Sequence, residues 1–283
     1  MSNQEQFDYW NGDAGKRWAQ EDDTMARLLE PVCQALLSHA RLEGCRNALD
    51  IGCGGGSQSL LLAETLGQGA QVLGVDISAP MLEVAQRKAS GALESAAQLS
   101  FLQADAAQHS FETGSFDLLF SRFGVMFFDD PAGAFRNLRS ALTTRGRLAF
   151  CCWQAMRDND WTRIPVQAAL QHLPTPEAPD PHAPGPFAFA DASRLESILA
   201  EAGFVDVAIE PQAIDIRFGE SPSLAESVRE LAMIGPVSRL ITGQEPDVLE
   251  RVFASMEEAL APYYRDGAIQ MKGAVWFVTG SAA

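Results

Sequence analysis

Short apolar runs alternate with segments of helical periodicity through the first half of the chain. The predicted strands are 48–51, 71–76, 99–103, 116–121 and 147–153, and the predicted helices are 25–42, 57–66, 80–93 and 132–142. The run at 116–121 is rich in apolar residues, as in a parallel strand that is covered on both faces. This alternation predicts an α/β fold with a doubly wound, mostly parallel sheet.

The pattern changes after residue 153. Prolines crowd residues 165–186, and here we expect one helix at 162–172 and then a loop. A helix at 192–202, a long strand at 205–216, helical segments within 221–265 and a short strand at 274–279 follow. We interpret 1–283 as a single domain. Its core spans about 45–153, and insertions at about 154–190 and 221–270 form a helical cap.

A glycine-rich turn follows the first predicted strand. The sequence runs from Asp50 and Ile51 into Gly52-Cys53-Gly54-Gly55-Gly56 and then into a helix. Glycines permit a positive φ and let a ligand lie against bare backbone, and the helix start offers free N–H groups. The third glycine comes one place too early for the dinucleotide fingerprint Gly-x-Gly-x-x-Gly. Taken alone, the pattern fits a tight turn as well as a binding site.

Two acids sharpen this interpretation. Asp76 lies 20 residues after Gly56, at the end of the second predicted strand, and Asp105 follows the third. A carboxylate at the first position can accept hydrogen bonds from both ribose hydroxyls. A carboxylate at the second can accept one from the exocyclic amine of an adenine. Because ligands of open α/β sheets bind at the carboxyl ends of the strands, the two acids together predict a nucleoside site.

These motifs resemble those of the class I S-adenosylmethionine-dependent methyltransferases. The matching segments are 50–54, 74–78, 104–106, 116–128, 135–142 and 146–148. Segments 9–18 and 121–128 also resemble a bacterial subgroup that acts on small molecules. The resemblance implies seven strands, the last antiparallel and inserted beside the fifth, and a lid formed by about residues 1–30.

The resemblance also implies a role for individual residues. Cofactor-binding roles fall on Asp50, Gly52, Cys53, Gly54, Asp76, Ile77, Met81, Asp105, Ala106, Ser121, Arg122 and Phe123. Gly52 to Gly54 would contact the methionine part, Asp76 the ribose and Asp105 the adenine. Substrate or lid roles fall on Tyr9, Trp10, Arg17, Trp18, Phe127 and Trp153. For an aromatic residue, a core position is the simpler alternative.

Methyl transfer from a sulfonium is an in-line displacement with a good leaving group. Orientation of the reactants contributes roughly 7–11 kcal/mol, more than the roughly 3–5 kcal/mol of a general base. A catalytic dyad is therefore not required, and the sequence shows no obvious one. His109, four residues after Asp105, is a candidate base, although a solvated loop histidine is the simpler interpretation.

Composition narrows the partners. The chain has 283 residues, with 21 Lys plus Arg against 37 Asp plus Glu, a net charge of −16. This balance, without a basic cluster, argues against duplex DNA or large RNA as a partner. No apolar run reaches the ~18 residues of a membrane span, and the polar N-terminus does not read as a secretory signal. Five cysteines without metal-ligand spacing predict reduced thiols in a cytoplasm and no metal site.

The sequence therefore predicts methyl transfer from S-adenosylmethionine to an O, N or C atom of a small molecule, with S-adenosylhomocysteine as the product. We expect a monomer or a homodimer. Three alternatives remain at this point: an RNA or protein methyltransferase, a non-catalytic cofactor-binding partner protein, and a nicotinamide-dependent oxidoreductase.

Overall fold

The strands form one mixed sheet in the computed structural model, which describes residues 3–91, 96–177, 180–219 and 221–282. They are β1 (Asn47–Ile51), β2 (Gln71–Asp76), β3 (Gln98–Gln103), β4 (Phe116–Arg122), β5 (Leu142–Trp153), β6 (Val205–Phe218), β7 (Tyr264–Arg265) and β8 (Ala268–Ser281). Their order is β3-β2-β1-β4-β5-β8-β6, and the short β7 pairs antiparallel with β8. The first five strands are parallel neighbours. The predicted fold class is confirmed, and so is the place of the last strand beside the fifth.

The helices of the described ranges are α1 (Asn3–Asn11), α2 (Asp13–Gln20), α3 (Asp22–His39), α4 (Ser57–Leu66), α5 (Ala79–Ala89), α6 (Pro131–Ala141), α7 (Asp160–Ala169), α8 (Ala192–Glu201), α9 (Leu224–Ala232), α10 (Gly235–Ile241) and α11 (Pro246–Leu260). Pro31 lies inside α3, which continues through it without interruption. The N-terminal segment is helical from Asn3 to Gln20 except at Gly12.

Several boundaries differ from the sequence prediction. The structure starts β5 at Leu142, where the sequence predicted the end of a helix, because the threonines at 143 and 144 favour a strand. It starts β8 at Ala268 rather than 274, since buried and less buried positions alternate from there onward. The predicted helix at 80–93 ends as α5 at Ala89, and residues 92–95 lie outside the described residues.

Large apolar side chains fill the centre of the sheet. Leu49 on β1, Leu118 and Phe120 on β4 and Phe150 on β5 are completely buried. The helices α3, α4 and α5 contact one another in series, and α6 contacts both β5 and α8. This packing holds the carboxyl ends of β1 to β4 in a fixed arrangement, which is where the predicted site residues lie.

The chain divides into two compact units. The first, called the sheet unit here, comprises Met1–Trp153, Pro181–Gln212 and Trp276–Ala283. The second, the helical unit, comprises Gln154–Asp180 and Ala213–Val275 and includes α7, α9, α10 and α11. All of the predicted site residues belong to the sheet unit. The interpretation of the chain as one domain with a cap of insertions stays a prediction.

Candidate functional site

The turn after β1 has a backbone that requires glycine. Gly52, Gly54 and Gly56 have φ values of +66°, +54° and +79°. The N–H groups of Gly52 and Cys53 both donate to the carbonyl oxygen of Val75, at 2.8 and 3.1 Å. A Cβ atom at position 52 would lie 2.6 Å from the Cα of Gly124 in the turn after β4. This close approach is a second reason why position 52 requires glycine. The result is a rigid loop (residues 52–56, the glycine loop) at the edge of the sheet.

Gly55 has a different reason to be glycine. A Cβ atom at this position would overlap the carboxylate of Asp22, which is buried at the start of α3. Asp22 forms an ion pair with Lys88, and the Lys88 ammonium also lies 3.0 Å from a carboxylate oxygen of Asp23 and 3.0 Å from the Ser57 hydroxyl. Gly55 thus leaves space for the Asp22 carboxylate, whose ion pair with Lys88 joins α3, α4 and α5.

Asp76 ends β2 beside the glycine loop. Its Oδ2 accepts a hydrogen bond from the N–H of Gly54 at 2.8 Å, and its Oδ1 accepts one from the N–H of Ser78 at 2.9 Å. Burial raises the pKa of Asp76, while the backbone N–H groups of Ser78, Gly54 and Ile77 act in the opposite direction. Because a carboxylate has about four lone-pair sites, both oxygens retain capacity for further donors. The arrangement fits a ligand that presents two hydroxyl groups.

Asp50 lies beneath the loop and has a different role. Its side chain is completely buried and accepts hydrogen bonds from the Gln58 amide and the Ser59 hydroxyl in the first turns of α4. Burial raises the pKa of Asp50 to about 7, against the effect of these two hydrogen bonds and of the Arg122 charge. Asp50 exposes no atom to a ligand in this structure, so it supports the glycine loop by linking β1 to α4.

Asp105 and Ala106 form the turn after β3. The Oδ1 atom of Asp105 accepts from the N–H of Ala107 at 2.9 Å. The Asn137 amide donates to the carbonyl oxygens of Ala106 and His109, at 3.2 and 2.9 Å, so α6 holds this turn in place. The His109 ring packs edge-on against Phe111, with the ring centres 4.7 Å apart. This packing favours a structural role for the histidine over that of a general base.

The end of β4 is bonded to the end of β1. The Ser121 hydroxyl donates to the carbonyl oxygen of Ile51 at 2.8 Å and accepts from the N–H of Gly124 at 3.2 Å. Phe123 has a φ of +62°, which is uncommon for a residue other than glycine. Backbone strain of this kind occurs mainly at functional sites. Its ring stacks on Trp153, with centres 4.3 Å apart and planes 7° from parallel.

Arg122 has an unusual environment. Its Nε atom is buried without a hydrogen-bond partner among the described residues. Its charge acts on the buried carboxylate of Asp50. An unpaired buried donor costs about 1–3 kcal/mol, and an anionic ligand group at this point would offset that cost. The orphaned donor therefore fits a site for a carboxylate-bearing ligand.

The N-terminal helices bring an aromatic cluster into the sheet unit. The Trp10 ring contacts Tyr9, Trp18 and Phe127, with ring centres 5.2, 6.0 and 5.7 Å apart. The Trp10 indole N–H donates to Gln6, which is buried on α1. Arg17 is exposed on α2. Trp10, Trp18 and Phe127, which the sequence predicts as lid or substrate residues, thus contact one another, and Gln6 was not among the predicted residues.

The remaining predicted residues are Cys53 in the glycine loop, Ile77 after β2 and Met81 on α5. Cys53 and Met81 are buried and Ile77 is half-buried. Burial raises the pKa of the Cys53 thiol well above its usual range, so this sulfur packs as a neutral side chain. All five cysteines of the chain are free and buried. Within the described residues, no group of three or more His, Cys, Asp or Glu side chains is arranged to hold a metal ion.

Asn11 is another residue that the sequence did not predict. Its side chain bonds to both ends of the loop that follows Asp76, and its only signal in the sequence was its place in the aromatic motif at 9–18.

The sequence around this site is similar to that of known proteins. Residues 49–150 match the model of a family described as a methyltransferase domain. Over this segment the chain is similar to methyltransferase domains. The matched segment contains the glycine loop and the ends of β1 to β4, so the family signature coincides with the candidate site.

Two relatives illustrate the range of similarity between this chain and named methyltransferases. The aklanonic acid methyltransferase DauC of Streptomyces sp. (strain C5) is 33% identical over 138 residues, which cover 47% of this chain and 62% of that protein. The chain therefore spans less than two thirds of DauC. The nocamycin O-methyltransferase of Saccharothrix syringae is 28% identical over 268 residues, covering 92% of this chain and 93% of that protein.

Solved structures show the same fold. The YcgJ protein of Bacillus subtilis superposes with a TM-score of 0.56 at 18% identity, covering 88% of this chain and 97% of that chain. At this identity the likeness establishes the methyltransferase fold alone. No helix in the described part of this chain is both long and apolar enough to cross a membrane.

Proposed function

We propose that this chain transfers a methyl group from S-adenosylmethionine to a small-molecule acceptor and releases S-adenosylhomocysteine. The observation that carries the proposal is the Asp76 carboxylate, which the N–H groups of Gly54 and Ser78 hold beside the glycine loop. Support for a small acceptor comes from the names of two relatives, an aklanonic acid methyltransferase and a nocamycin O-methyltransferase. The net charge of −16 makes a nucleic-acid substrate a poor fit.

The residues at the strand ends divide the work of holding the cofactor. Gly52, Cys53 and Gly54 would pack against its methionine part, and Asp76 would accept from the ribose hydroxyls. Asp105 and Ala106 would meet the adenine edge, with Ile77 and Met81 beside its ring. Ser121, Arg122 and Phe123 would lie where the cofactor faces the acceptor. The orphaned Nε of Arg122 would there gain an anionic partner.

Orientation carries the proposed mechanism. When bound, the cofactor supplies an electrophilic methyl group on a sulfonium sulfur. The protein aligns the acceptor atom with that methyl group, and alignment of this kind contributes roughly 7–11 kcal/mol. Tyr9, Trp10, Trp18, Phe127 and Trp153 would exclude water and Arg17 would attract an acidic acceptor. His109 packs against Phe111 and is not assigned a role as base.

Calorimetric titration of the purified protein with S-adenosylhomocysteine tests the proposal, with NAD as the control ligand. We expect micromolar binding of the first compound and none of the second. An acceptor screen with methyl-labelled S-adenosylmethionine would follow, over phenols, carboxylic acids, quinones and amines. Binding without turnover on any acceptor would favour a non-catalytic partner protein. If the protein does not bind S-adenosylhomocysteine, or binds NAD instead, the assignment is wrong.

A further inference from the structure

Asn11, the last residue of α1, bonds to the loop that connects β2 to α5. Its Nδ2 atom donates to the carbonyl oxygen of Ile77 at 3.0 Å, and its Oδ1 atom accepts from the N–H of Ala79 at 2.9 Å. One carboxamide thus satisfies a backbone acceptor and a backbone donor two residues apart. These contacts bridge 66 and 68 residues of sequence.

The loop held in this way carries the predicted nucleoside-binding residues. Its central residue, Ser78, donates its hydroxyl to the carbonyl oxygen of Trp10 at 2.7 Å and its N–H to Asp76 at 2.9 Å. The other oxygen of Asp76 accepts from Gly54 in the glycine loop. A continuous series of hydrogen bonds therefore leads from Asn11 through the loop to the carboxylate of Asp76.

Neighbouring residues reinforce the contact. Gln103, at the end of β3, donates to the carbonyl oxygen of Ile77 at 3.2 Å and to Oδ1 of Asn11 at 3.4 Å. At Gly15 a Cβ atom would overlap the carbonyl group of Trp10, so glycine is required where α2 folds back on α1. The amide of Asn11 also donates to Phe7 within its own helix at 2.9 Å. A local partner exists, yet the side chain reaches across to the loop as well.

We propose that Asn11 is a positioning residue for cofactor binding. It fixes the backbone of Ile77 to Ala79 and thereby orients the Asp76 carboxylate and the Ile77 side chain toward the nucleoside half of S-adenosylmethionine. The inference rests on the proposed function, because it assigns Asn11 to the same cofactor. Asn11 acts through the loop and does not touch the cofactor itself.

The test compares the protein with Asn11→Ala and Asn11→Asp variants. Asn11→Ala removes both bonds to the loop. Asn11→Asp keeps the size of the side chain and the acceptor for Ala79, but places an oxygen opposite the carbonyl of Ile77. Gln4→Ala is the matched control, because Gln4 is exposed on the same helix and its amide donates to Asp8 on that helix.

We expect Kd for S-adenosylhomocysteine to rise about tenfold in both Asn11 variants, because each variant loses at least one hydrogen bond between residue 11 and the loop. The same factor should apply to 5′-methylthioadenosine, which retains the nucleoside half. Hydrogen exchange at Ser78 and Ala79 should accelerate, while Tm without ligand changes by only a few degrees. The Gln4→Ala variant should match the unaltered protein in all four measurements.

The possible results distinguish failure of the positioning role of Asn11 from failure of the proposed methyltransferase function. If the unaltered protein binds S-adenosylhomocysteine and both Asn11 variants bind it equally well, the positioning role is wrong. A lower Tm without a change in either Kd would likewise reduce Asn11 to a structural residue. If the unaltered protein binds neither compound, the proposed function itself fails.

Discussion

The carboxyl edge of the sheet unit and the core of the helical unit are held together by different kinds of contact. At the sheet edge, polar side chains bond to the backbone of each turn, as Asp76 does to Gly54, Ser121 to Ile51 and Asn137 to Ala106. In the helical unit, α11 contacts α7 and α9. The side chains completely buried there are mostly apolar and include Val228, Val252, Met256 and Leu260.

The difference explains which region the family model matches. A turn held by a carboxylate or by glycine at a positive φ accepts very few residue types at a given position. An apolar helix interface accepts many sequences of similar volume. The matched residues 49–150 lie wholly within the sheet unit, where the backbone contacts restrict the sequence.

Asn159 is a buried polar residue of the helical unit with bonds to several elements, and its removal should have the largest effect on stability. The residue is completely buried, and its amide donates to the carbonyl oxygens of Gln154, Ala155 and Ala274 at 3.1–3.2 Å. Its oxygen accepts from Ala274 and Trp161. We expect Asn159→Ala to lower the free energy of unfolding by about 3 kcal/mol, because buried partners lose their bonds at about 1–3 kcal/mol each.

Denaturant unfolding measures this effect, and Gln167→Ala, an exposed position on α7, serves as the control. Kd for S-adenosylhomocysteine should stay within twofold in the folded Asn159→Ala protein. A large loss of affinity without a loss of stability would show that the two units do not divide binding and packing as described.

Asp76→Ala should have the largest effect on binding. Hydrogen bonds to a charged group contribute about 1.5–3 kcal/mol each, so loss of the ribose acceptor should weaken S-adenosylhomocysteine binding at least tenfold. Asp117→Ala is a closely matched control. Its carboxylate also accepts from two backbone N–H groups, those of Arg46 and Asn47, but these precede and begin β1.

Calorimetry on both variants compares the two ends of the sheet. Each should lose a similar amount of stability, since each loses two backbone partners. Only Asp76→Ala should lose affinity. Equal affinities would remove Asp76 from the ribose site.

Most of the candidate site at the carboxyl edge of the sheet could be predicted from the sequence, because its turns require particular residue types. The Gly52–Gly56 turn and the acids at 76 and 105 need particular residue types at particular positions, and the structure places all of them at strand ends. Asn11 was not accessible, because an asparagine at a helix end usually bonds locally and its partners here lie 66–68 residues away. Asp22 was missed for the same reason, since its partner Lys88 is on α5.

Gly55→Ala probes one of these long-range contacts. The added methyl group would meet the buried Asp22 carboxylate, and overpacking of this kind costs about 1–3 kcal/mol. Gly91→Ala is the control, because its Cβ atom would lie 3.6 Å from the nearest atom, the carbonyl oxygen of Lys88. Thermal unfolding should show the loss at position 55 alone.

A double variant sharpens the result. Asp22→Ala vacates the space, so adding Gly55→Ala to it should cost less than Gly55→Ala costs by itself. If the stability losses of the two single variants simply add in the double variant, the methyl group is accommodated elsewhere. Asp22 would then not be the reason why position 55 is glycine.

The last prediction concerns the pH dependence of Asp50, the buried acid beneath the loop. Burial raises its pKa from 3.8 to about 7 in the folded protein. Between these two values the folded state binds the proton more tightly than the unfolded chain does, so Asp50 makes the protein less stable as the pH rises through this window. An asparagine does not titrate, and Asp50→Asn should therefore gain stability relative to the unaltered protein between about pH 4.5 and about pH 7.5.

Urea unfolding at both pH values measures the change in this difference. The helical unit supplies the reference: Asn159→Ala removes a group that does not titrate, so its effect on stability should be the same at both pH values. A pH-independent difference for Asp50→Asn as well would mean that Asp50 is already charged in the folded protein at the lower pH. Gln58 and Ser59 on α4 would then donate to a charged carboxylate, which the nearby Arg122 charge stabilises. The strand ends and the helical unit would still differ, but by charge as well as by the kind of contact.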